Sequence, residues 1–208
     1  MFDSSALQSI ACEALEARIA VLASGVGTNL QALLDDPIVG AWITLVVSDK
    51  PQAGALEKAR ARGVETVFVD PDGFEDRRSF DDAVMALLDR AGTEYVVLAG
   101  FMRVLGPEFV HAYEGRMLNI HPSLLPKFPG THAVQDALEA GVERTGVTIH
   151  FVDEQVDHGP VVMQEEVPVL PDDDVGSLEA RVHEVEHRLY PQAVRALVEG
   201  LKPGEAAS

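Results

Sequence analysis

Short runs of apolar residues alternate along the chain with segments whose apolar residues recur every three or four positions. Continuous runs are typical of strands buried on both faces, and the wider spacing is typical of helices packed on one side. The runs predict strands at Ala17–Ala23, Trp42–Ser48, Val64–Val69, Glu94–Ala99 and Met117–Ile120. The spacing predicts helices that start near Leu30 and at Gly54–Arg62, Arg77–Arg90 and Pro107–Tyr113. This alternation indicates an α/β protein with a parallel sheet.

The pattern changes in the last third of the chain. A helix predicted at His132–Ala140 is followed by two strands, Gly146–Val152 and Val161–Val169, which a short polar segment connects. Such a connection predicts an antiparallel pair, and Ser177 is expected to cap a long final helix. The predicted fold is therefore α/β: a Rossmann-like, mostly parallel twisted sheet flanked by helices, with an antiparallel C-terminal strand pair at its edge.

Composition narrows the domain organisation, the partners and the compartment. Of the 208 residues 47% are apolar, which suits one domain, predicted at 17–203, with an N-terminal extension at 1–16 and a tail at 204–208. The net charge of −18 argues against nucleic acids and anionic membranes as partners, and a phosphorylated ligand would need a fixed local site. Cys12 is the one cysteine, and the N-terminus lacks a basic segment and a long apolar run. We therefore expect a cytoplasmic protein without a signal peptide or membrane span.

Chemically capable side chains concentrate in Met117–Gly130, MLNIHPSLLPKFPG. Its three prolines should stiffen a loop just beyond a buried strand. Asn119 and His121 are two residues apart, so on a strand they project to the same face. An amide N–H and an imidazole aimed at one point can stabilise an oxygen that gains negative charge during acyl transfer. The alternative is that Asn119 caps a loop and His121 packs at the strand end.

A glycine-containing turn, Ser24–Asn29, joins the first strand to a helix. Its glycines permit close backbone approach and Thr28 or Asn29 can cap the helix, a layout that points N–H groups at an anion. An ordinary turn between strand and helix is the alternative. Asp49 follows the next strand and would suit a dinucleotide ribose, but the third glycine of that motif is missing.

Three further groups of residues are candidates. Asp157 lies in the polar connection, where its carboxylate can orient His121 and keep it charged, or can simply serve a turn. Gly100–Leu105 follows the fourth strand and either walls a pocket for a flat aromatic ligand or belongs to the core. His183 and His187 are one helical turn apart, but no third ligand is evident, so no metal site is predicted.

Five stretches together resemble the phosphoribosylglycinamide formyltransferase family, folate-dependent enzymes of purine synthesis. They are VLASGVGTNLQ (21–31), VLAGFMRVL (97–105), LNIHPSLLPKFPG (118–130), GVTIHFVDEQVDHGP (146–160) and EHRLYP (186–191), and they span nearly the whole chain except residues 1–16. The resemblance implies transfer of a formyl group from the cosubstrate 10-formyltetrahydrofolate to the amine of glycinamide ribonucleotide. The implied mechanism needs no metal, the net charge argues against nucleic acid and membrane, and we expect a monomer or homodimer.

The same resemblance implies a role for each matching residue. Asn119, His121 and Asp157 match the catalytic trio, Gly27, Thr28 and Asn29 match the phosphate-binding loop, and Glu186 matches an acid near the glycinamide substrate. The implied folate contacts are Arg77, Met102, Arg103, Val104, Leu105, Asn119, Asp153 and Asp157. Two departures from the family pattern, at Thr131-His132-Ala133 and at His158, affect local loop detail.

Other functions remain as alternatives at this point. A formyltetrahydrofolate hydrolase, in which water replaces the amine, is the nearest, but such relatives usually carry an N-terminal regulatory domain for which residues 1–16 are too short. A methionyl-tRNA formyltransferase would need an additional basic C-terminal domain. A nicotinamide oxidoreductase would need the third glycine of the dinucleotide motif, which is missing here. A non-catalytic folate-binding protein would have no need of Asn119, His121 and Asp157, so their presence argues against it.

Overall fold

The sheet has the mixed architecture that the sequence predicts. A computed structural model describes residues 16–204, so the rest of the predicted extension, with Cys12, and residues 205–208 of the predicted tail lie outside the described residues. The strands are β1 (Ile19–Leu22), β2 (Ile43–Ser48), β3 (Glu65–Phe68), β4 (Tyr95–Leu98), β5 (Met117–His121), β6 (Arg144–Phe151) and β7 (Val161–Pro168). Within the described part they form one sheet, in the order β3-β2-β1-β4-β5-β6-β7. Pairing is parallel from β1 to β5 and antiparallel between β5, β6 and β7.

Helices connect these strands as predicted, with two short additions, an α-helix at Val39–Trp42 and a 3₁₀ helix at Pro71–Gly73. The helices are α1 (Thr28–Asp35), α2 (Val39–Trp42), α3 (Gly54–Ala61), α4 (Arg77–Arg90), α5 (Pro107–Ala112), α6 (Ala133–Glu139) and α7 (Val175–Val198). The predicted cap of α7 was wrong: Asp174 caps it by accepting from the Ser177 N–H at 2.8 Å, and Ser177 is the third helical residue. In residues 16–204 no helix has both the length and the apolar content that crossing a bilayer requires.

Most strand boundaries differ from the prediction by one or two residues, and two of the differences have a clear cause. Trp42 ends α2 instead of opening β2, because the Asp36 carboxylate accepts from the Val39 N–H and starts a short helix there. His121 belongs to β5, since it pairs with Thr148 across the antiparallel ladder. The longer β5 therefore carries both Asn119 and His121, and both residues pair with β6 in the same antiparallel ladder.

Both faces of the sheet are covered by helices. Residues of α1, α3 and α7 pack on one face and residues of α4 and α5 on the other, so alternate residues of β1 enter two separate cores. This double burial explains why the strands read as continuous apolar runs. Tyr190 of α7 is fully buried, and its hydroxyl donates to the Leu98 carbonyl at 2.7 Å, at the end of β4.

The strand order reverses between β1 and β4. The chain moves from β1 outward through β2 to β3, then returns to β4 on the other side of β1 and continues to β7. Ligands of open α/β sheets bind at such a switch point, beyond the carboxyl ends of the strands. The segments that follow β1, β4 and β5 meet there, and they carry the residues predicted to be functional.

Candidate active site

The structure brings together the three residues predicted to be catalytic. Asn119 and His121 lie on β5 and border the same cavity, and Asp157 reaches them from the β6–β7 connection. Asp157 Oδ1 is 3.4 Å from Asn119 Nδ2, and Asp157 Oδ2 is 3.4 Å from His121 Nδ1. Both distances are longer than an ordinary hydrogen bond. Both donors can therefore be shared with a further acceptor, while their catalytic roles stay predictions.

A backbone contact that the sequence analysis missed fixes the Asp157 carboxylate. Its Oδ2 accepts from the Gly130 N–H at 2.8 Å, across 27 positions of the chain. Asp157 takes a left-handed backbone conformation, with φ 53°, which aspartate tolerates better than most residues. The proline loop and the β6–β7 connection therefore meet at this carboxylate. No sequence motif indicates this contact between Gly130 and Asp157.

The His121 ring has an acceptor at each nitrogen. Nε2 is 2.8 Å from the Phe128 carbonyl oxygen, and Nδ1 faces the Asp157 carboxylate. The imidazolium, which carries N–H on both nitrogens, satisfies both acceptors, whereas the neutral ring satisfies one. The His121 side chain is 5% exposed, so little water competes for these contacts.

His150 is a site residue that the sequence analysis did not assign. It lies opposite Asn119 in the β5–β6 ladder, with Nε2 3.1 Å from Asn119 Nδ2 and 3.8 Å from Asp157 Oδ1. Burial lowers the pKa of His150. Along the strand, His150 alternates with the buried residues Val147 and Ile149, but only the strand register shows that it reaches Asn119.

A cavity of about 220 Å³ opens beside the trio. Its lining includes the predicted folate contacts Met102, Arg103, Val104, Leu105 and Asp153, together with Asn119, His121, His150 and Asp157. Met102 and Val104 are more than half exposed, whereas Leu105 is buried. Apolar side chains exposed at the mouth of a cavity indicate a ligand surface, whereas Leu105 and the partly buried Phe101 of the same segment pack against the core.

The turn after β1 has the glycine that its geometry requires. Gly27 has φ 79°, and a Cβ added there would lie 2.7 Å from Ala55 Cα. The predicted capping by Thr28 or Asn29 was wrong, because Gly27 is the N-cap and no described side chain caps α1. Within residues 16–204, the first N–H groups of α1 therefore have no capping side chain. Ser24 Oγ accepts from the Met102 N–H at 2.9 Å and ties the turn to the cavity wall.

Glu186 connects α7 to this turn. Its buried carboxylate accepts from Asn29 Nδ2 at 3.0 Å and from His183 Nδ1 at 2.7 Å. The hydrogen bond with Glu186 raises the pKa of His183, whereas burial lowers the pKa of His187, whose ring stacks on that of His183. Among the described residues, no group of three or more His, Cys, Asp or Glu side chains is arranged to hold a metal ion.

A sequence model of the family described as formyl transferase matches residues 17–194. The chain belongs to the formyl transferase family. It is 44% identical over 195 residues to the phosphoribosylglycinamide formyltransferase of Escherichia coli (strain K12), covering 91% of this chain and 92% of that protein. The solved structure of glycinamide ribonucleotide transformylase 1 from Symbiobacterium toebii matches with a TM-score of 0.88 and 44% identity, covering 92% of this chain and 93% of that one.

Some relatives are much longer than this formyl transferase chain. It is 44% identical over 191 residues to the trifunctional purine biosynthetic protein adenosine-3 of Homo sapiens, covering 90% of this chain but 19% of that protein. It spans 14% of the protein with the same name from Drosophila melanogaster.

The predicted site residues of this formyl transferase fall into three places. The trio and the folate wall share the cavity, and the turn and Glu186 form a second cluster, joined to the wall through Ser24. Arg77 is in neither. It lies with Asp81 and Gly106 at a small separate cavity at the start of α4, outside the lining of the larger one. Its predicted folate contact stays a prediction that this geometry does not support.

Proposed function

We propose that this formyl transferase moves the formyl group of 10-formyltetrahydrofolate to the amine of N1-(5-phospho-D-ribosyl)glycinamide, giving the N-formyl product and tetrahydrofolate in purine biosynthesis. The observation that carries the proposal is the convergence of Asn119 and His121 on Asp157 beside an apolar-mouthed cavity. The names of the bacterial relatives of similar length favour this transfer over the hydrolase alternative.

The two substrates use different parts of the site in this proposal. The wall from Met102 to Leu105 and the side chain of Asp153 flank the folate, whose flat ring suits an apolar cleft. The N–H groups at Gly27–Asn29 receive the phosphate, and the Glu186 carboxylate faces the amine. Both substrates are small molecules, so nucleic acid and membrane take no part. We place the protein in the cytoplasm, as a monomer or homodimer.

The chemistry follows from where charge develops. The amine nitrogen bonds to the formyl carbon, and the carbonyl π electrons move to the oxygen. His121, as imidazolium, and the Asn119 N–H stabilise that oxyanion. Its collapse re-forms the carbonyl and breaks the bond to N10 of the folate, which gains the proton that the amine loses. The Asp157 carboxylate faces His121 Nδ1, orients the ring and relays this proton. The scheme requires no metal.

Turnover of a formyl-folate tests the proposal. Purified protein is mixed with 10-formyl-5,8-dideazafolate, with and without glycinamide ribonucleotide, and release of the deformylated product is followed by absorbance. We expect release that depends on the ribonucleotide and falls about 10²–10³-fold in His121→Ala. His111→Ala, at an exposed histidine of α5, is the matched control and should retain the rate. Release without the ribonucleotide would identify a hydrolase, and no release would overturn the proposal.

A further inference from the structure

His150 takes no part in the proposed chemistry, but its ring contacts Asn119, whose N–H does take part. His150 Nε2 is 3.1 Å from Asn119 Nδ2, and the other ring nitrogen of His150, Nδ1, is 2.8 Å from the Phe151 carbonyl oxygen. The His150 side chain is 3% exposed, so water does not replace these partners.

These contacts select one form of the His150 ring. A carbonyl oxygen only accepts, so Nδ1 must carry the proton that it donates to Phe151. Burial lowers the pKa of His150 and keeps the ring neutral, which leaves a single N–H on it. Nε2 is therefore unprotonated, and its lone pair points at the Asn119 amide.

A fixed acceptor at Nε2 decides how the Asn119 amide is turned. As observed, Nδ2 faces both His150 and the Asp157 carboxylate. A flipped amide would set its oxygen against two acceptors, which is unfavourable. We propose that His150 is a positioning residue, which holds Asn119 with its N–H groups toward the place where the formyl oxygen gains charge. This inference rests on the proposed function.

Asp157 alone holds the amide less firmly. Its contact with Asn119 is 3.4 Å long, and the same carboxylate also serves His121 and the Gly130 N–H. A proton relayed through Asp157 during the reaction would weaken its hold on the amide further. His150 keeps its proton on Nδ1, so its acceptor is present at every step.

A double-mutant cycle separates positioning from a structural role. In His150→Phe the acceptor is gone, and we expect kcat to fall about 10- to 100-fold with both KM values nearly unchanged. In His150→Gln a side-chain oxygen can replace Nε2, and most of the rate should return. In an Asn119→Ala background, His150→Phe should cost at most about two-fold more, because the residue through which it acts is already gone.

Three results would overturn the inference. Equal losses from His150→Phe with and without Asn119 would mean that His150 acts by itself or through the fold. A failure of His150→Gln to recover activity while remaining folded would mean that the acceptor is irrelevant. Long-range ¹H–¹⁵N spectra of the unmodified protein, which need no turnover, would contradict it if Nε2 carried the proton at pH 7. Absence of turnover in the unmodified protein would refute the proposed function itself, even with the expected tautomer.

Discussion

Asp157 is the single residue on which the other members of the site converge. Its two carboxylate oxygens face Asn119, His121 and the Gly130 N–H. In the proposed reaction, the negative charge of Asp157 therefore matters more than the shape of its side chain.

Removing that charge while keeping the shape tests this point. We expect Asp157→Asn to lower kcat about 10²–10³-fold, because His121 loses the anion that faces its Nδ1 and the proposed relay loses its base. Steady-state rates in the dideazafolate assay measure the effect. Asp172→Asn, in an exposed loop, is the control and should retain the wild-type kcat. A kcat of Asp157→Asn within two-fold of wild type would exclude a charge role.

Glu186 offers a second prediction for a single residue, at the place where we propose that the amine binds. Because its hydrogen bond raises the pKa of His183, Glu186→Gln should lower that pKa, and His183 should lose its proton at a lower pH. The same change should raise KM for the ribonucleotide about ten-fold through the lost charge–amine contact. NMR titration of His183 and steady-state kinetics measure the two effects. Glu184→Gln, exposed on the same helix, should change neither, and an unshifted His183 would refute the assigned contact.

At the scale of elements, α4 supports the predicted folate wall, Met102–Leu105. The buried Asp81 carboxylate accepts from the Gly106 N–H at 2.7 Å, and the neighbouring Phe80 ring lies 4.6 Å below the Arg103 guanidinium. Burial raises the pKa of Asp81, against the hydrogen bond from Gly106 and the charge of Arg77. Two consecutive helical residues thus hold both the end and the middle of the wall.

Loosening this support should affect one substrate more than the other. We expect Asp81→Asn to raise KM for the formyl-folate about three- to ten-fold, because a neutral side chain holds the Gly106 N–H more weakly. KM for the ribonucleotide, which we propose binds at the turn after β1, should change less than about two-fold, as should kcat. Asp82→Asn is the matched control on the next, exposed position. Equal increases in both KM values would indicate general destabilisation instead.

At the scale of the whole molecule, an ion pair ties the end of α1 to α7. The Asp36 carboxylate contacts Arg195 and accepts from the Val39 N–H. Burial opposes ionisation of Asp36, but these contacts outweigh it and lower its pKa below the ordinary value of 3.8. A depressed folded-state pKa stabilises the protein above pH 3.8, and this contribution is lost as the pH falls through the folded-state value.

Chemical denaturation across pH measures this contribution. Asp36→Asn keeps an acceptor for the backbone but removes the charge, so we expect a loss of about 0.5–1 kcal/mol at pH 7 that disappears in acid. Asp35→Asn, whose pair with Arg62 is about half exposed, should cost less. A difference between wild type and Asp36→Asn that stayed constant from pH 7 to pH 2 would contradict the linkage.

Much of the fold followed from local pattern. The bounds of α4 matched the prediction, and the other strands and helices differed from it by a few residues, because burial on both sheet faces leaves continuous apolar runs. The errors at Trp42 and Ser177 came from carboxylates, those of Asp36 and Asp174, that capture backbone N–H groups a few residues away. Several residues compete for such caps, and the apolar pattern does not distinguish them.

The class of fold, the position of the proline loop after β5 and the shared face of Asn119 and His121 could be predicted, since each depends on neighbours along the chain. The three-dimensional arrangement was needed to show that Asp157 meets Gly130, that His150 faces Asn119 and that Arg77 stands apart from the cavity. These contacts depend on strand register and on loops distant in sequence. A shift of one residue between β5 and β6 would turn the His150 side chain to the other face while leaving the sequence pattern of each strand unchanged.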